Sequence, residues 1–334
     1  MITQWDNVEG LFPRRPDLAN ILLRGIASFE SFIGDEKFQN LSQRLNFHSL
    51  IINEATVNTR ALYKLIEELN GLQESRFRIF AIGGGGIIDY SKHLVYHFTQ
   101  NNSKSIDNFI AVPTTAGSGS ERTAFAVLYD ENGSKSSVQA NYLLPDHVFY
   151  KKEVLFNAPK NVIMYSGLDC ICQSIESMLS RGKNRESNFL AKGGLELGIM
   201  NLPKLLNGDK EASFGMLNAS RMAGEAINIS KTTAAHAYSY YLTYFHNITH
   251  GSAVAFILKA LLNQLKEKDD IITPIFNKYG YKNFSNFLDN IGYLSPQIPE
   301  LDIGRFLASV NKERLANYPY NINTDRLISE MFRS

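Results

Sequence analysis

In the stretch "GLDCICQSIES", Asp169 and Gln173 stand four residues apart on a segment patterned as a helix. Both side chains therefore leave the same face, one turn apart. A carboxylate followed by histidine at that spacing is half of a transition-metal site. A carboxylate followed by an amide is weaker evidence, because the amide offers only a neutral carbonyl oxygen. Further on, "HAYSYYLTYFHNITHG" holds His236 and His250, with Asn247 and Gly251 able to break a helix between them. Histidines on successive helices can reach one point, but a lone helical histidine is more often a satisfied core residue. The spacing leaves both readings open.

A different chemistry is written in "RFRIFAIGGGGIIDYSKHLVYHF". It reads as a buried strand from Phe77 to Ile82, a turn of four glycines (Gly83, Gly84, Gly85, Gly86), and a helix running through Phe98. The run departs from the usual dinucleotide fingerprint, since Ile88 stands where a third glycine is expected. Glycines between a strand and a helix N-terminus still let backbone N–H groups approach a phosphate, which the helix dipole favours. The alternative is a tight turn needed only for helix–strand packing. "PTTAGSGSERT", Pro113 to Thr123, adds a hydroxyl- and glycine-rich loop after the next strand. Two such loops at neighbouring strand ends favour a nucleotide site at the carboxyl ends of a parallel sheet.

These residues need elements to position them. "HSLIINEA" from His48 reads as a strand, "TRALYKLIEEL" as a helix, and "FIAVPTT" from Phe109 as another strand. That alternation argues for a doubly wound parallel α/β sheet. Ile26 to Glu30 is either a first strand or the continuation of a helix begun at Asp17. After Pro145 long helical patterns take over, as in "SNFLAKGGLELGIMNLPKLL" and "GSAVAFILKALLNQLKEK", with Pro159 suited to start a helix. The expected domains are an α/β unit over 1–155 and an all-α unit over 156–334.

The chain has 334 residues, 44% hydrophobic and 20% charged, with 34 basic against 33 acidic side chains. A net charge of +1 leaves no field to recruit nucleic acid or an anionic membrane, so neither is expected as a partner. The N-terminus has no apolar core of signal-peptide length, and a cytoplasmic location is expected. Cys170 and Cys172, separated by a single residue on a helix, point to different faces, which disfavours a disulfide between them; they read as small semi-buried residues in a reducing compartment or as a reactive thiol.

Taken in order, "GGGGIIDYSK", "AVPTTAGSGSERT", "LLPD", "GLDCICQSIES", "HAYSYYLTYFHNITHGSAVA" and "RLANYPYNINTDRLISEMF" resemble the iron-containing (group III) alcohol dehydrogenase family, whose fold is related to dehydroquinate synthase. The resemblance runs from about Arg76 to the C-terminus. It implies a dinucleotide-binding domain, a helical domain and a divalent metal, iron or zinc, in the cleft between them. The implied metal ligands are Asp169, Gln173, His236 and His250, with Gln173 where the family normally has histidine. Tyr240 stands where many members carry a histidine thought to help move the alcohol proton. The implied cofactor contacts are Gly83 to Gly86 on the pyrophosphate, Asp89 near the nicotinamide half, Thr114, Thr115 and Ser118 on ribose and phosphates, and Lys135 near the nicotinamide ribose. Glu30, if it ends a strand, would face the adenosine ribose and favour NAD over NADP, since a carboxylate repels a 2′-phosphate; otherwise it is an exposed helical acid.

"KTTAAHAYSYYLT" is similar to the branch containing phosphonoacetaldehyde reductases and 3-deoxy-octulosonate oxidases, whose substrates are anionic. Lys231 is then a candidate anchor for a carboxylate, phosphonate or phosphate, or else a solvated lysine near a helix start. The expected function is a metal-assisted, NAD(P)(H)-dependent alcohol dehydrogenase or aldehyde reductase acting on a small anionic substrate, assembled as a homodimer. The fold also permits a dehydroquinate-synthase-like lyase or cyclase, or a degenerate member that binds nucleotide without catalysis.

Overall fold

The computed structural model describes residues 2–5, 8, 11–13, 15–25, 32, 34–52, 58–130, 135–265 and 268–332. The chain divides into two compact units, Met1–Thr115 with Ser120–Ala158, and Ala116–Gly119 with Pro159–Ser334.

The first unit contains a parallel sheet of β1 (Ile2–Gln4), β2 (Leu18–Gly25), β3 (His48–Ile52), β4 (Arg76–Gly83), β5 (Ser105–Pro113) and β8 (His147–Tyr150). Its order is β1-β8-β5-β4-β2-β3, and an antiparallel pair, β6 (Phe125–Tyr129) with β7 (Lys135–Gln139), stands beside it in sequence. Successive residues of the central strands enter opposite cores. Ile21, Leu23, Ile79, Ala81 and Phe109 pack with residues of α2 (Thr59–Asn70) and α3 (Gly85–Asn101), whereas Leu22, Phe80, Ile82 and Ile110 pack with Trp5 and residues of α1 (Glu36–Leu45).

Burial on both faces also accounts for one correction. Leu18–Gly25 is a strand, not the opening of a helix begun at Asp17. A strand covered on both sides reads "LANILLRG", a nearly continuous apolar run whose period does not separate it from helix. Ile26 to Glu30 lie outside the described residues.

One buried cation ties α3 to the loop after β5. The Lys92 ammonium is fully buried and donates to the carbonyls of Ser120, Thr123 and Phe125 and to the hydroxyls of Ser120 and Thr123. Burial still pulls its pKa down to about 8, against the pull of Asp89 and Glu121.

The second unit is helical. After α4 (Lys152–Phe156) in the first unit come α5 (Lys160–Leu179), α6 (Arg185–Leu206), α7 (Ala212–Ser230), α8 (Ala234–Phe245) and α9 (His250–Leu262). Shorter helices follow: α10 (Lys268–Ile271), α11 (Thr273–Lys278), α12 (Phe284–Asn290), α13 (Ile303–Ala308), α14 (Lys312–Ala316) and α15 (Thr324–Met331). Every residue of α5 from Gly167 to Leu179 is buried, which is the mark of a helix enclosed by others. Any polar side chain on that stretch must be satisfied from within the protein or by a ligand.

Candidate functional site

Asp169 and Gln173 project from the enclosed half of α5, His236 from the first turn of α8, and His250 begins α9. Asn247, with φ of 53°, breaks the chain between the last two helices. Gly251 does something else: a Cβ there would collide with the Tyr165 carbonyl and lie 3.2 Å from Asp169 Cβ. Its absence lets α9 approach α5 closely enough to bring His250 beside Asp169. Ligand atoms of Asp169, His236 and His250 all lie within 4.8 Å of one another, and His236 Nε2 is 3.3 Å from Asp169 Oδ1.

Three atoms at this point, Asp169 Oδ1, Gln173 Oε1 and His236 Nε2, are buried without a hydrogen-bond partner. Each is a lone-pair donor, and stranding such groups in an interior is costly unless something binds them. Two imidazole nitrogens, one carboxylate and one amide oxygen are a donor set that fits a divalent iron or zinc ion, with the amide as its weakest member. Burial opposes charge on Asp169, but the neighbouring His236 and His250 outweigh it and hold the carboxyl below its usual range.

The residue that orients this group is Glu176, which sequence reasoning passed over. Its Oε1 accepts from the Thr233, Ala235 and His236 backbone N–H groups and the Thr233 hydroxyl, and Oε2 accepts from His236 Nδ1. One carboxylate thus caps the start of α8 and fixes the imidazole with its proton on Nδ1, leaving the Nε2 lone pair for a ligand. Burial raises the Glu176 pKa, but His236 and these donors more than offset it, so it sits low; the same carboxylate, with Asp169, raises His236. The signal was present: Glu176 lies three residues after Gln173 and seven after Asp169, on the same helix face.

Tyr240 stacks on His250 with ring centroids 6.0 Å apart and planes 2° from parallel. Lys231 lies in the link between α7 and α8. Cys170 and Cys172 are both buried and form no disulfide, and burial drives the Cys172 thiol well up, against a reactive thiol at that position.

In the first unit the glycine turn opens α3 directly from β4. Gly84 is the N-cap, without a side-chain cap, and a Cβ on it would sit 3.3 Å from Thr115 Oγ1. A Cβ on Gly86 would meet nothing within 4 Å, so space is open beside the helix N-terminus for a phosphate to approach. Gly83 accepts from the Thr114 N–H, which joins the two loops; Thr114 itself is buried. Asp89 is engaged by the Ser120 hydroxyl and by the Val127 N–H at 3.1 Å. Ser118 belongs to the segment grouped with the helical unit. Lys135 opens β7 opposite Tyr129, its side chain outside the described residues, as is all of Glu30.

Residues 34–152 match the iron-containing alcohol dehydrogenase model, and residues 163–291 match the model of the Fe-containing alcohol dehydrogenase family's C-terminal part. The chain belongs to the iron-containing alcohol dehydrogenase family. It is 29% identical to a 1-propanol dehydrogenase of Salmonella typhimurium over 66% of this chain and 59% of that protein. It is 31% identical to a phosphonoacetaldehyde reductase of Streptomyces viridochromogenes over 46% of this chain and 40% of the relative. The chain therefore aligns with under two thirds of the length of these relatives. Among solved structures, the fold resembles a sulfoacetaldehyde reductase of Bifidobacterium kashiwanohense in complex with NAD+, with a TM-score of 0.77, 22% identity, and coverage of 94% of this chain and 90% of the other. An iron-containing alcohol dehydrogenase of Thermotoga maritima gives a TM-score of 0.79 at 22% identity, covering 93% and 90%. Among the described residues no helix is long and apolar enough to cross a membrane.

Proposed function

We propose that the protein is an NAD(H)-dependent alcohol dehydrogenase or aldehyde reductase whose small substrate carries an anionic group. The observation that carries this reading is the convergence of Asp169, His236 and His250 with three buried, unpartnered lone-pair atoms. Asp169, Gln173, His236 and His250 would hold the metal. Gly83 to Gly86, Thr114, Thr115 and Ser118 would receive the dinucleotide, with Asp89 holding Ser120 and Val127 of β6 in place. The chemistry supplied there, when both groups are bound, would be polarisation of the substrate oxygen by the metal and hydride exchange between the nicotinamide and the carbon bearing that oxygen.

The chain's own residues do the rest. Reduction of an aldehyde consumes one hydride and one proton, and the Tyr240 hydroxyl, on the ring stacked against His250, is the proton donor to the new alkoxide. A phenol whose ordinary pKa is about 10 suits donation better than proton abstraction near neutrality. Lys231 is the anchor for the anionic end. Relatives named for phosphonoacetaldehyde and sulfoacetaldehyde support an anionic aldehyde, and the NAD+ complex of the latter supports NAD. Homodimer assembly and a cytoplasmic location belong to the same proposal.

Gln173 favours one second reading, a member that binds nucleotide without catalysis. Oxidation of NADH by metal-loaded protein decides between the two: turnover with an anionic aldehyde, abolished in Asp169→Ala and Gly84→Val, is expected. NADH binding without turnover on any aldehyde or alcohol would favour the second reading.

A further inference from the structure

Lys231 has φ of 61° and ψ of 166°. That region is essentially reserved for glycine, and another residue held there is strained. The surroundings hold it. Asn317 donates to the Ser230 and Thr232 carbonyls on either side of Lys231, and the Ser180 hydroxyl donates to Ser230 as well. Asn317 is the C-cap of α14, the short helix that also carries Arg314. The Arg314 guanidinium lies 5.7 Å from the centre of the Tyr240 ring, whose stacking partner is His250. One helix therefore pins the strained lysine and places an arginine one aromatic ring away from the metal constellation.

From this geometry we infer that Arg314 and Lys231 are two arms of one site for the anionic group of a short-chain aldehyde, a sulfonate, phosphonate or carboxylate. The inference rests on the proposed reductase reading and adds the residue that sets its specificity. Two half-buried cations within electrostatic reach of each other repel. Burial and then Arg314 lower the Lys231 pKa, while Glu313, exposed on the same helix, raises it. An anion between the two relieves that repulsion. Arg314 offers a planar fork that matches two oxygens at once, and Lys231 a point charge. A lysine thus stands where glycine is easier, and the proposed site gives its side chain a use there.

The test uses the full-length, metal-loaded protein with NADH and compares aldehydes bearing a sulfonate, a phosphonate or a carboxylate with propanal. Arg314→Gln is expected to lower the ratio of kcat/KM for the preferred anionic aldehyde to that for propanal by about 30–100-fold, mostly through KM. Arg314→Lys should recover part of it, since charge returns without the fork. Lys231→Gly relieves the backbone and folds at least as well, yet should lose a similar share of the discrimination. Calorimetric binding of ethanesulfonate and methylphosphonate to the same proteins gives a readout without turnover. Anion binding that is lost in Arg314→Gln, in a protein with no aldehyde turnover, upholds the site and rejects the reductase reading. Unchanged discrimination, absence of anion binding, or a loss confined to the KM of NADH, which would hand the pair to the cofactor's phosphates, overturns the inference.

Discussion

Lys92 and Glu176 are buried charges of opposite sign, one in each unit, and each gathers several polar groups around a single side chain. Lys92 donates to carbonyls and hydroxyls of the loop from Ser120 to Phe125. Glu176 accepts from the backbone at the start of α8 and from His236. The difference lies in what the organised segment then presents. Around Lys92 the chain holds a loop beside a glycine turn, where the proposed chemistry would belong to backbone N–H groups and side chains would matter chiefly by being small. Around Glu176 it holds the His236 imidazole, where the proposed chemistry would belong to one named atom, Nε2. A backbone site tolerates small adjustments of its supports; a side-chain site with one lone pair to place does not.

The largest effect expected from that contrast is on stability. Glu176→Leu strands three backbone N–H groups and His236, and should cost about 3–5 kcal/mol, as breaking a buried charge pair does. Lys92→Met leaves carbonyls and hydroxyls at the end of a loop, which water can reach after a local opening, and should cost about 2–3 kcal/mol. Denaturant unfolding with hydrogen exchange measures both, with lost protection confined to the helical unit in the first variant and to the α/β unit in the second. A reversed ranking would break the comparison.

A smaller effect sharpens it. Glu176→Gln keeps an acceptor for the α8 N–H groups but presents an N–H donor to His236, which moves the imidazole proton to Nε2. Zinc or iron affinity should fall by about 10–100-fold with far less loss of stability than in Glu176→Leu. Affinity equal to that of the unaltered protein would show that Glu176 only caps the helix.

The smallest effect is in pH. In the metal-free protein Glu176 is lowered, so its contribution is present above the ordinary glutamate value of about 4.3 and is lost as pH falls through its folded pKa. His236 is raised, so its contribution is complete below the ordinary histidine value of about 6.5 and is lost as pH rises through its folded pKa. Metal-free stability should therefore peak between those values, and the peak should flatten in Glu176→Gln. Thermal melts across that range check it.

The same contrast explains what could be read from the chain alone. The glycine turn, the strand before it and the helix after it announce themselves, because glycine runs and apolar blocks are local signals. Asp169, His236 and His250 were legible as a set only through the family resemblance that the ordered motifs carry, since their own spacing left both readings open. Leu18–Gly25 was hidden because two-sided burial erases periodicity. Glu176, Lys92 and Arg314 were hidden for another reason. Their meaning comes from partners 57, 28 and 74 residues away in sequence, Thr233, Ser120 and Tyr240, and no local pattern encodes that.

Gln173 is the point on which the account of the metal centre turns. Its carbonyl is a poorer donor than imidazole, so the ion should be held, but loosely. The direct measurement is a titration of zinc and of ferrous iron into chelator-treated protein, unaltered and with Gln173→His, followed by calorimetry and elemental analysis. One ion per chain, removable by chelator and bound at least about 10-fold more tightly after Gln173→His, is the expected result. Chelator-resistant occupancy in the unaltered protein, or binding that survives Asp169→Ala and His236→Ala, would contradict it.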